Sequence, residues 1–245
     1  MKFFVRLRAL RDFVAAVRVL SCEMMRALTI AIDGPSGAGK GTVARAIAAR
    51  LGYRHVDSGA MYRAVGWKAA SDGVPIEDEA RIAEFAARAQ LTVGDGVVTI
   101  DGVDVTKAIR TPEIDRAAAA VARHPRVRAV LVERQRLLGA EGGIVMEGRD
   151  IGTVVFPDAG LKIYLDASPD ERARRRAHDP AHSGGPAAVA DVESALTARD
   201  QSDRTRAASP LHAADDAIVV DTTGRSIDEV VAHVLLMIGK QQSVP

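Results

Sequence analysis

Short apolar runs, each ended by a polar residue, recur along the chain at Ala27 to Asp33, Arg54 to Asp57, Ile144 to Glu147, Leu161 to Asp166 and Ala217 to Asp221. Longer stretches of helical pattern lie between them, beginning with Val43 to Leu51. Strands alternating with helices predict an α/β fold, with a parallel five-stranded sheet flanked by helices. Ligands of such a sheet lie off the carboxyl ends of its strands. Asp57-Ser58, Glu147-Gly148-Arg149-Asp150 and Asp166 are therefore expected to face one crevice.

The pattern changes twice. Between Ser71 and Pro125 the runs Gln90 to Val93, Val97 to Ile100 and Val103 to Val105 are separated by Gly94-Asp95-Gly96 and Asp101-Gly102, which predicts a small antiparallel meander in an inserted subdomain. From about Ala177 to Ala190, Asp179-Pro180, Ser183-Gly184-Gly185 and Pro186 predict a mobile link between helices. Arginines crowd both sides of that link: Arg172, Arg174, Arg175 and Arg176 before it, Arg199, Arg204 and Arg206 after it. A lid is the expected role.

Composition narrows the partners. The 245 residues are 47% hydrophobic and carry a net charge of +1, which argues against a nucleic-acid stripe or a membrane-surface protein and favours small-molecule partners. Only six of the 33 basic residues are lysine, so positioned arginines, whose planar forks suit phosphate oxygens, carry most of the cationic work. Cys22 is the only cysteine, compatible with a reducing compartment. Residues 1–24 are basic and apolar, but charges at Asp12 and Arg18 interrupt any signal-peptide core. They are expected to be disordered or an over-long start, and the protein is expected to be cytoplasmic.

The candidate chemistry centres on Gly34-Pro35-Ser36-Gly37-Ala38-Gly39-Lys40-Gly41-Thr42, placed after the first strand and before the first helix. That order lets backbone N–H groups and a helix N-terminus converge on a polyphosphate, with Lys40 reaching its outer oxygens. The spacing fits the nucleoside-triphosphate pattern, except that Gly41 follows the lysine and the hydroxyl comes one residue later at Thr42. Arg199, Asp203 and Arg206 fall at i, i+4 and i+7 and would share one helix face. The six histidines show no metal-ligand spacing.

Together with this loop, Asp57-Ser58-Gly59-Ala60-Met61-Tyr62-Arg63, Ile109-Arg110-Thr111, Pro125-Arg126-Val127-Arg128, the run Gly148 to Ala159 and Arg199-Asp200-Gln201-Ser202-Asp203-Arg204 resemble bacterial cytidylate kinase from about Met25 to Gly239. The resemblance implies a P-loop kinase fold over residues 25–240, with a nucleoside-monophosphate (NMP) binding insertion at about 68–130, an Arg-rich lid at about 172–206, and 241–245 as a tail. It implies a monomeric enzyme transferring the γ-phosphoryl group of ATP to CMP and dCMP, with Mg2+ as cofactor.

By position, Lys40, Arg63, Arg149 and Arg206 would be catalytic. Gly34 to Thr42 would hold the ATP phosphates, Arg175 would lie against adenine, and Arg172 or Arg176 would brace the phosphates. Ser58, Arg199 and Asp203 would contact the acceptor ribose, and Arg128 and Asp150 the cytosine edge. Thr42 and, through water, Glu147 would hold Mg2+. Ala119 stands where the family usually has a hydroxyl beside the base. Rival readings are another P-loop kinase acting on UMP, AMP or shikimate, and a nucleotide-binding NTPase or regulatory module without an acceptor.

Overall fold

The computed structural model describes residues 28–94, 96–178 and 189–241. The N-terminal extension with Cys22, the Pro- and Gly-containing link of the expected lid, and residues 242–245 lie outside the described residues. The strands are β1 (Thr29–Asp33), β2 (Arg54–Asp57), β3 (Leu91–Gly94), β4 (Val97–Ile100), β5 (Val103–Asp104), β6 (Ile144–Glu147), β7 (Leu161–Asp166) and β8 (Ile218–Asp221). The helices are α1 (Lys40–Leu51), α2 (Ser58–Ser71), α3 (Glu79–Arg88), α4 (Pro112–Val121), α5 (Pro125–Gly139), α6 (Pro169–Ala177), α7 (Val189–Thr205) and α8 (Ile227–Gln241). A single π-helical turn, Ile151–Val155, follows β6.

β2, β6, β1, β7 and β8 form the parallel sheet, in that order. Because β6 slots between β1 and β2, the loop leaving β1 and the segment leaving β6 emerge side by side. Alternate residues of each strand feed the two faces. Ile30, Ile32 and Val145 join Ile47 of α1 and Val231, Val234 and Ile238 of α8 in one core. Ala31, Ile144 and Met146 join Met61 and Val65 of α2 and Leu131 of α5 in the other. Fully burying each large side chain contributes roughly 1.5–3 kcal/mol. β3, β4 and β5 form a separate antiparallel sheet whose Val93, Val98 and Ile100 pack into the α2 core. The meander is thus fastened to the helices of that core and has no core of its own.

Local signals set the helix starts. Asp57 caps α2 by accepting from Ala60 N at 3.0 Å, and Thr111 caps α4 by accepting from Ile114 N at 3.2 Å, in front of Pro112. Gly34 opens the loop after β1 with φ of 143°, and a Cβ there would lie 2.0 Å from the Leu165 carbonyl oxygen of β7. No helix among the described residues is long and apolar enough to cross a membrane.

Candidate active site

One cleft of about 910 Å³ opens above the carboxyl ends of β1, β2 and β6. Ser36 to Thr42 line one wall, while Gly34 and Pro35 form the base of the loop behind it. Lys40 is buried at the first turn of α1, and its Nζ donates to the Pro35 carbonyl at 2.7 Å. Burial, reinforced by the positive charge of Arg149, pushes its ammonium pKa down to about 7 against the opposing pull of Glu147. Thr42 is exposed to the cleft. The departure at Gly41 has a steric reason: a Cβ there would lie 3.0 Å from Glu147 Oε1. Glycine leaves room there for the Glu147 carboxylate at the first turn of α1. The same carboxylate oxygen is 3.0 Å from His55 Nε2.

The opposite wall is built on ion pairs. Asp57 holds Arg63 at 2.5 Å and stands 3.9 Å from Arg110. Burial raises the Asp57 pKa, but these two guanidiniums and the Ala60 N–H outweigh it and leave it at about 2. Ser58 Oγ donates to the Glu147 carbonyl at 2.6 Å, locking the start of α2 to the end of β6.

Arg128 of α5 and Asp150 form a buried pair, with the Arg128 guanidinium 5.6 Å from the Tyr62 ring centre. Arg206 stands 3.5 Å from Asp150 and 3.9 Å from Asp203, and Arg149 donates to Asp203 at 2.8 Å. Burial raises the Asp203 pKa, but Arg149 and Arg199 outweigh it and hold the carboxyl below its ordinary value. Arg199 lies 3.7 Å from Asp115. Its own pKa is lowered to about 10 by burial and then by Arg149. Buried Nε donors of Arg63, Arg128 and Arg199 have no hydrogen-bond partner. Buried donors left unpaired carry a free-energy penalty that an incoming acceptor relieves.

Twelve Lys or Arg residues and five Asp or Glu residues line the cleft, although the whole chain carries only +1. Such an excess concentrates anions at one place on an otherwise balanced surface. Every residue assigned from the sequence to catalysis or substrate lines this cleft, as do Arg175, Glu147 and Ala119.

Two expectations need correction, for Arg172 and for Asp166. Arg172 is buried outside the cleft lining, donating to Ser36 O at 3.2 Å and to Asp200 at 2.5 Å, so it supports the loop from behind. Arg176, the alternative to Arg172, does line the cleft, where it pairs with Asp115 of α4. Asp166 does not line the cleft: its carboxylate accepts from Ala167 N at 2.8 Å, at the β7 end of the sheet. Sequence reasoning left Arg110, Tyr62, Thr222 and His55 without roles, though all four line the cleft. Arg110 and Tyr62 lie within the quoted motifs; His55 and Thr222 carry no local signal and are placed only by the ends of β2 and β8.

A family profile described as Cytidylate kinase matches residues 30–240. This chain belongs to the cytidylate kinase family. A cytidylate kinase of Desulfitobacterium hafniense is 49% identical over 215 residues, covering 86% of this chain and 93% of that protein. One of Solibacter usitatus is 46% identical, covering 86% and 92%. A bifunctional pantoate ligase/cytidylate kinase of Synechococcus is 48% identical over 208 residues, and the match spans 82% of this chain but 38% of that longer protein.

Proposed function

We propose that this chain transfers the γ-phosphoryl group of ATP to CMP and dCMP, releasing ADP and the corresponding diphosphate. The observation that carries this reading is one cleft with two cation sets. Lys40 and the loop amides stand on one wall, and Arg63, Arg149 and Arg206 on the other, beside the Arg128–Asp150 pair.

The loop and Lys40 would hold the β- and γ-phosphates, and the three arginines would neutralise the acceptor phosphate and the moving group. The acceptor is already anionic, so positioning and charge stabilisation can supply most of the rate without a general base. Arg128 offers a donor fork to cytosine O2 and N3, and Asp150 an acceptor to its amino group. Ser58, Arg199 and Asp203 would receive the ribose, and Arg175 the adenine. Residues 68–130 would carry the acceptor side, and 172–206 would close as a lid within a kinase domain of residues 25–240.

The oxygen donors of Thr42 and Glu147, both of which line the cleft, would suit a hard cation that keeps several waters. Mg2+ held there would neutralise phosphate charge. The reading places the enzyme in the cytoplasm, where ATP and CMP are at hand, and takes it to act as a monomer.

The test is ADP release with CMP, dCMP, UMP, AMP and shikimate offered singly. CMP and dCMP should raise the rate well above ATP alone. If no acceptor does so, the kinase reading fails; if UMP or AMP leads, the base assignment fails.

A further inference from the structure

Asp33 ends β1 immediately before the phosphate loop, and its side chain is buried and does not line the cleft. Its two oxygens accept separate backbone amides: Oδ1 takes Ile151 N at 2.8 Å and Oδ2 takes Gly152 N at 2.7 Å. These amides open the π-helical turn Ile151–Val155 and, being at its N-terminus, have no partner within it. The residue in the N-cap position is Asp150, a type that ordinarily satisfies such amides with its own carboxylate. Here its side chain makes no capping bond. It faces Arg128 and Arg206 instead.

The same segment is tied to β1 a second time, because Gly148 N donates to the Ile32 carbonyl at 2.9 Å. Arg149 and Asp150 are therefore the only residues between two anchors on adjacent positions of β1. The anchor is closely packed at Gly152: a Cβ there would lie 3.4 Å from Asp33 Oδ2 and 3.2 Å from the Lys162 stem.

We propose that Asp33 is a positioning residue: it caps the turn in place of Asp150 and thereby holds Asp150 and Arg149 toward the acceptor nucleotide. The inference deepens the phosphoryl-transfer reading and rests on it. Burial pushes the Asp33 carboxyl up to about 6; the two amides and Lys40 oppose this, and the like charge of Asp150 adds to it. A buried anion kept beside another anion is a poor device for stability alone.

Asp33→Asn preserves shape but leaves one acceptor oxygen for two amides. Its steady-state kinetics should show kcat/KM for CMP lowered at least tenfold, mainly through KM, with KM for ATP within twofold and the preference for CMP over UMP eroded. Gly152→Ala, which crowds the same anchor without altering a charge, should raise KM for CMP several-fold with the same sparing of ATP, and it decides the matter should the Asn protein not fold. Unchanged CMP parameters in a folded variant overturn the proposal. So does an equal loss for ATP and CMP with base preference intact, the signature of a merely structural role. Wild-type protein assayed alongside separates the two readings: if it releases no ADP with CMP, the phosphoryl-transfer reading fails and takes this inference with it.

Discussion

Replacing Lys40 with methionine tests the electrostatics of the cleft as well as the chemistry. In the unliganded protein its ammonium pKa falls from 10.5 to about 7. That corresponds to a penalty of roughly 5 kcal/mol on the charged form relative to water. A polyphosphate beside Nζ restores the charge, so ATP binding should draw a proton from solvent: about half a proton at pH 7 and about nine-tenths at pH 8. Titration calorimetry with ATP alone at pH 8, in two buffers of different ionisation enthalpy, measures this uptake. Subtracting the Lys40→Met value removes protons exchanged by the phosphates themselves. The variant should also lose about 10²–10³ in kcat, the scale of one preorganised transition-state donor. The stability sign is fixed by the same shift. Between pH 7 and 10.5 the unfolded chain binds more protons than the folded one, so the empty wild type should gain stability as pH rises through that window. The variant should lack that gain. Equal proton uptake by the two proteins would refute the argument, as would near-normal kcat in folded Lys40→Met.

Asp203→Ala should impair CMP and dCMP unequally, because only one has a 2′-hydroxyl to lose; equal losses would mean that Asp203 serves only to organise Arg149 and Arg206. Ala119→Ser places a hydroxyl on the cleft wall beside Ala118 and Ala122, and a gain of about 0.5–1.5 kcal/mol predicts a few-fold to tenfold rise in kcat/KM for CMP. Unchanged CMP and UMP kinetics would put position 119 outside the base pocket. Gly34→Ala meets both a left-handed φ and the Leu165 carbonyl at 2.0 Å, so urea unfolding should show at least about 3 kcal/mol lost, and an unchanged midpoint would contradict the packing described.

The phosphate loop and the strands around it were legible because their signals are contiguous. A run such as Ile144 to Glu147 declares a buried strand through its own apolar residues, and Gly34 to Thr42 declare a loop-to-helix start through spacing alone. The meander was legible too, as three short runs divided by Gly-containing turns. Arg172 shows the limit. In sequence it is one of four clustered arginines, indistinguishable from Arg175, yet it is buried behind the loop while Arg175 lines the cleft. A long arginine stem reaches partners over many directions, and the helix face it leaves from depends on what α6 packs against.

By itself the sequence determined the element order, the triphosphate loop and the set of charged residues available for chemistry, since these depend on local spacing and on residue type. Only the tertiary structure decided which charges meet. Asp57 meets Arg110, and Asp150 meets Arg128 and Arg206, only through the packing of helices and their connecting segments on the sheet, while Asp33 reaches the turn at Ile151 because β6 pairs with β1. Strand order is a global outcome of burying both faces of the sheet. Pairwise electrostatics act only over the short distances that this order creates.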